Sequence, residues 1–176
     1  MDCKLVVSSL ALVAAACTSM QNPPGASVPE SLKPSTSESV AVVAAARGVQ
    51  IYECKAVKDK AGAFEWSFVA PEAELFDASG KKIGRHYAGP HWEAADGSKV
   101  IGSVKERADA PQADAIPWLL LTAKSVGPRG SFSAVTSIQR VNTVGGIAPK
   151  TGCSKATAGA PARVSYTADY YLFAAK

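Results

Sequence analysis

From Val40 to the C-terminus, apolar residues recur at every second position far more often than at every third or fourth, and Gly, Pro or Asp interrupts the pattern every eight to twelve residues. Period two puts successive side chains on opposite faces of an extended chain, so the region is predicted to consist of short antiparallel strands joined by tight turns. Val49, Ile51 and Glu53 alternate with Gln50, Tyr52 and Cys54, and Phe64, Trp66 and Phe68 share one face of the next strand. Residues 75–77 and 82–87 flank an Ala-Ser-Gly-Lys turn. Residues 92–94 reverse at Asp96-Gly97 into 99–104, and Asp-Gly is among the stronger short hairpin signals. DASGKKIG (77–84) and ADGSKVIG (95–102) echo each other at a spacing of eighteen, as consecutive hairpins of a meander would. Residues 116–124 form an apolar run with Pro117 near its start, which suits a strand buried on both faces. In 132–141 Val135, Ile138 and Val141 recur every third residue, yet the β-branched content and the following Gly145-Gly146 favour a strand. Val164, Tyr166, Ala168 and Tyr170 alternate with polar positions in the last strand. The expected fold is all-β, a single antiparallel domain of about eight to ten strands forming a β-sandwich or a β-barrel.

The first forty residues read differently. A polar start with Lys4 precedes a twelve-residue apolar stretch, 5–16, that ends in small side chains. As a helix it spans about 18 Å, short of the roughly 30 Å hydrocarbon core, so residues 1–16 are predicted to be a signal peptide rather than a membrane span. Val13-Ala14-Ala15-Ala16-Cys17 resembles a bacterial lipobox, which makes Cys17 a lipid attachment candidate; plain cleavage at an A-x-A-like site is the alternative. Residues 17–38, rich in Pro and Ser, read as a solvated tether, leaving 39–176 for the β domain. The expected location is the bacterial cell envelope, membrane-anchored through Cys17 or periplasmic or secreted.

Cysteine usage follows from export. Cys3 leaves with the signal and Cys17 is the lipid candidate, so Cys54 and Cys153 remain as a pair in an oxidising compartment, where a disulfide is the default. Two free thiols or a metal pair are the alternatives, and no CxxC or Cys/His spacing supports zinc.

Several strings together are distinctive: GVQIYECK (48–55), HYAGPHWEAADGSKVIG (86–102), AIPWLLL (115–121), IQRVNTVGGIAP (138–149) with Cys153, and YTADYYLF (166–173). In this order, over about residue 38 to the C-terminus, they resemble a secreted family of bacteria and fungi known as domain of unknown function 3455. The resemblance implies an exported domain without an assigned activity. Some fungal members carry a malate dehydrogenase label, but this chain has no G-x-G-x-x-G between a strand and a helix. At 176 residues it is also too short for a nucleotide domain plus a substrate domain.

The densest polar cluster is His86-Tyr87-Ala88-Gly89-Pro90-His91-Trp92-Glu93. His91 and Glu93, two apart, share a face on a regular strand and can share a proton or hold a divalent metal, with His86 supplied from across the Gly89-Pro90 bend. Tyr87 and Trp92 fit packing roles equally. A nucleophile elbow G-x-S-x-G and a P-loop are both absent, and a disulfide removes Cys54 and Cys153 as nucleophiles. Arg140, in an otherwise apolar strand beside Gln139 and Asn142, has the chemistry to bind an anion, but pairing with an acidic neighbour such as Asp169 or Glu53 is the expectation, because buried charges generally need partners. The net charge of +4, from 19 Lys+Arg against 15 Asp+Glu, is spread without a basic stripe, so nucleic-acid binding is not indicated.

These residues lead to a non-catalytic envelope binding or structural module, with no cofactor expected. The alternative is a small hydrolase or metal-assisted enzyme using His86, His91 and Glu93. A barrel mouth or sandwich cleft lined by Trp66, Trp92, Trp118 or by Tyr166, Tyr170 and Tyr171 would suit an apolar or sugar ligand.

Overall fold

The structure, a computed structural model, describes residues 27–176. The expected signal segment and Cys17 lie outside the described residues. Eight strands follow in chain order: β1 (Glu38–Ala56), β2 (Phe64–Phe76), β3 (Lys82–Tyr87), β4 (His91–Ala94), β5 (Lys99–Ala108), β6 (Trp118–Ser125), β7 (Val135–Gly145) and β8 (Pro161–Ala175). Each is antiparallel to its neighbours, and β8 pairs back onto β1, so the sheet closes into an up-and-down barrel. Closure removes every exposed strand edge, which settles the choice between sandwich and barrel.

Bulges produce the curvature. β1 has one at its start and a second mismatch against β2 at Ile51/Tyr52, while β5 and β7 each shift register against a partner. Each inserts an unpaired residue and raises the local twist, which lets a sheet of eight strands coil onto itself.

Alternation then divides inside from outside. The interior of the barrel is packed by Ala44, Ala46, Leu75, Trp92, Val100, Ile138, Tyr170 and Leu172. The small Ala44 and Ala46 of β1 share this interior with the large ring of Trp92, the mixture of sizes that fills a small barrel. Gly102 lies under that ring: a Cβ there would come 2.6 Å from Trp92 Cζ3, so the ring occupies a place only glycine leaves open.

The two ends differ. At one end, carrying the β2–β3, β4–β5 and β6–β7 turns, buried Phe132 plugs the barrel. Asp96 fastens that plug: Oδ1 accepts from the backbone N–H and hydroxyl of Ser98, and Oδ2 accepts from the same two groups of Ser131. Ser98 Oγ in turn accepts from Phe132 N–H at 3.0 Å. The sequence echo at 77–84 and 95–102 is thereby explained, because Asp77 makes the same carboxylate turn with Ser79.

The other end carries the β1–β2, β3–β4, β5–β6 and β7–β8 loops. Cys54 on β1 and Cys153 in the β7–β8 loop form a disulfide there, at a sequence separation of 99. A loop of that length corresponds to about 4–5 kcal/mol in the chain-entropy treatment, an upper figure for real bridges.

Part of the expected tether is structured. Residues Glu30–Leu32 form a 3-10 turn, and Leu32 is fully buried on the outside of the barrel among Trp118, Leu120, Val141, Tyr171 and Phe173. Gln139 Nε2 donates to Leu32 O at 2.6 Å. The folded domain therefore begins before residue 39. Proline content alone did not betray this, since a single Leu on a prepared apolar surface anchors the segment. The strap also explains β6: its outward Trp118 and Leu120 lie beneath it while Leu121 faces the interior, so the strand is buried on both faces.

Candidate functional site

The barrel is filled from its plugged end only. Toward the open end lies a recess of about 130 Å³ lined by His86, Trp92, Tyr170, Leu121, Gln50 and Arg140, among others. It is continuous in lining with a wider vestibule of about 830 Å³ at the mouth: Gln50, Phe68, Val104, Leu119 and Arg140 belong to both. The vestibule is walled by the β5–β6 loop and by Ile147 and Ala148 after β7. Phe68, Val104 and Ile147 are exposed on its rim.

Three interior strands supply the aromatic wall of the recess. The His86↔Trp92 pairing of β3 with β4 stacks the two rings, centroids 3.9 Å apart and 15° from parallel. Tyr170, from β8, meets Trp92 edge-on at 5.5 Å and 76°. His86 Nδ1 lies 2.9 Å from His91 O, an acceptor-only carbonyl, so Nδ1 carries the proton and Nε2 is the acceptor of the neutral ring. Burial pulls the imidazole down to about 3, and the nearby Arg140 charge acts in the same direction.

Three polar atoms around this recess, Gln50 Nε2, Trp92 Nε1 and Tyr170 OH, are buried with no hydrogen-bond partner within the protein. Tyr166 OH, four residues back along β8, makes no regular hydrogen bond either, although it lies beside Tyr170 and Gln50; burial holds its hydroxyl well above the ordinary phenol range, Tyr170 adding to the shift and Gln50 opposing it. Unsatisfied buried polar groups cost about 1–3 kcal/mol each, and a cluster of them around one recess is unusual in a folded domain.

Arg140 does not pair as expected. The β7–β8 register sets Arg140 opposite Tyr170 and Val141 opposite Asp169, so Arg140 faces inward while Asp169 faces out. Asp169 instead accepts from Asn142 Nδ2 at 2.8 Å, and the nearest cation to Glu53 is Lys55 at 3.3 Å. Arg140 Nε and an Nη donate to Pro117 O at 3.1 and 2.8 Å, tying the end of the β5–β6 loop to the inner wall. Thr143 Oγ1 donates to the adjacent Ile116 O at 2.6 Å. Gly146 completes the mouth at φ +82°, where Tyr52 OH donates to its carbonyl at 2.6 Å and an added Cβ would come 2.9 Å from Tyr166 Cβ.

His86, His91 and Glu93 are not brought together. His86 is inside the barrel, whereas His91 Nδ1 bonds Ala88 O at 2.8 Å in the β3–β4 turn. Glu93, on the outer face, accepts from Arg85 at 2.9 Å and from Tyr87 OH, and these bonds hold its carboxyl below the usual range. Strand alternation separates His86 from the other two, because His86 and its cross-strand partner Trp92 point inward while His91 and Glu93, on either side of Trp92, both point outward. Among the described residues no group of three His, Cys, Asp or Glu is placed to hold a metal ion.

The aromatics expected around a ligand divide similarly. Trp92, Tyr166 and Tyr170 face the interior, Trp118 and Tyr171 lie under the outer strap, and Trp66 donates Nε1 to Thr151 O in the β7–β8 loop. Gln50, Phe68, Leu119 and Arg140 are among the lining residues that the sequence did not mark as site residues. For Gln50 and Arg140 the signal was present: each is a polar side chain at the inward phase of an alternating strand.

Fold and cavity together define a class, a closed eight-stranded up-and-down barrel plugged at one end and hollow at the other. The chain belongs to the family described as Protein of unknown function (DUF3455), whose profile matches residues 34–174. No curated protein and no solved structure matches it.

Proposed function

We propose that this protein is a non-catalytic binding module that carries one small molecule inside its barrel. A single observation supports the reading best: Gln50 Nε2, Trp92 Nε1 and Tyr170 OH, all buried and without partners, surround one recess that opens to solvent. Eight-stranded barrels are of a size to enclose one small ligand. The disulfide at the mouth and the Arg140 and Thr143 bonds to the β5–β6 loop fix the entrance, so the site is preorganised and binding costs little ordering entropy.

The test is a melting-temperature screen of ring-sized fragments on the native chain and on Leu119→Trp. Leu119 borders both cavities and is only partly buried, so a larger side chain has room to grow into the opening. A fragment at ten times its dissociation constant is expected to raise the melting temperature by roughly 3–5 °C, and Leu119→Trp to abolish the rise. Absence of any shift, or shifts that survive Leu119→Trp, would overturn the proposal.

The same reading places the module in the cell envelope, exported and anchored to the membrane through acylated Cys17. The apolar 5–16 stretch, the lipobox-like junction and the Cys54–Cys153 disulfide support it, the last because such bonds persist in oxidising compartments.

A further inference from the structure

Resting on the binding reading above, we infer that the molecule held in the barrel is a ring-bearing carboxylate, its ring in the recess beside Trp92 and its carboxylate on Arg140. Charge is the first argument. Arg140 is a partly buried cation on the inner wall with no carboxylate in ion-pair distance among the described residues, and its acceptor, Pro117 O, is neutral. A guanidinium has five N–H donors, of which that carbonyl engages two, so donors remain for a second acceptor.

The neighbouring groups ask for the same partner. Gln50 Nε2 and Trp92 Nε1 are donors without acceptors, and Tyr170 OH can donate as well. No acidic side chain lines the recess. At the vestibule Asp109 is exposed to solvent, and the cationic Arg107 lines the same opening. A pocket wall with a cation and several hydrogen donors, lacking charged acceptors, selects a negatively charged, acceptor-rich group.

Size and shape decide the rest of the ligand. The recess, about 130 Å³, is close to the roughly 150 Å³ at which an apolar protein cavity takes up benzene. The edges and faces of Trp92, Tyr170 and His86 suit a flat ring. Arg140 and Gln50 border both cavities, so the carboxylate sits at the junction, and substituents on the carbon that bears it extend into the vestibule, past the exposed Phe68 and Val104.

Calorimetric titration of the full, disulfide-bonded chain with phenylacetate, its primary amide phenylacetamide, and octanoate tests this. Phenylacetate is expected to bind at least tenfold more tightly than either of the others, Arg140→Gln to bring acid and amide to parity, and Arg140→Lys to keep most of the preference. The acid-against-amide comparison on the unaltered chain decides the charge argument even where Arg140→Gln fails to fold. Equal binding of the amide would overturn the carboxylate, and tighter binding of octanoate would overturn the ring, while either result leaves the cavity reading standing. No binding of phenylacetate at millimolar concentration would overturn the inference outright, and the fragment screen then reports separately on whether the barrel binds anything.

Discussion

His86 has two neighbours that fix its state: the ring of Trp92 on its face and the carbonyl of His91 on Nδ1. Complete burial keeps it neutral down to about pH 3, whereas in the unfolded chain it titrates near 6.5. Between those values the unfolded state holds the extra proton, so stability is complete above about 6.5 and falls as the pH drops toward 3. The slope is about 1.4 kcal/mol per pH unit, which predicts a loss of about 2 kcal/mol between pH 6.5 and 5. Denaturant unfolding across that interval checks it, with His86→Gln expected to flatten the dependence; a flat profile for the unaltered chain would show that His86 is not buried as a neutral ring. Asp96, held well below the ordinary carboxylate range by the Ser131 and Ser98 hydroxyls, affects stability only in stronger acid, so the two are separable. His86 and Arg140 both stand out in the sequence as polar residues within strands. Which way each points depends on strand phase, and for Arg140 the wrong partner is inferred when the phase of β8 relative to β7 is not known.

At the level of elements, strand positions were legible because period two and Asp-Gly or Gly-Gly punctuation are local properties. The hairpins around 78–81 and 96–97, the doubly buried 116–124 run and the strand reading of 132–141 all correspond to observed strands or turns. The strap was not legible, since one leucine in a Pro/Ser-rich stretch has no periodicity. Its contribution is measurable: Leu32→Ala is expected to cost about 2–4 kcal/mol, because a fully buried side chain is removed from a preformed surface of Trp118, Tyr171 and Phe173. A denaturation midpoint unchanged within error would show that the strap contributes nothing to the fold. At the opposite end of the chain Lys176 N–H donates to Ser37 O at 2.9 Å, so strap and C-terminus are fastened to each other.

The whole molecule is asymmetric along its axis. Phe132 and its Asp96 clasp close one end, and at the other the Cys54–Cys153 bridge and the β5–β6 loop frame an opening into the aromatic recess. If the chain is an envelope lipoprotein, it fractionates with membranes, and Cys17→Ser shifts it to the soluble exported fraction. Intact mass provides the independent reading: loss of residues 1–16 with added diacylglycerol at Cys17 supports the anchor, and a chain that keeps Met1 in the cytoplasm overturns export.

By itself the sequence determined the class of secondary structure, the turn positions, the Cys54–Cys153 pairing and membership of the family, because periodicity, turn chemistry and cysteine number are written along the chain. Only the tertiary structure decided that the sheet closes on itself, that His86 and Arg140, from opposite sides of the barrel, both face its interior while His91, Glu93 and Asp169 face outward, and that donors from β1, β4, β7 and β8 converge on one recess. Closure and convergence rest on bulges and inter-strand register. A shift of one residue exchanges every inward side chain for an outward one, and no single strand carries that information in its own sequence.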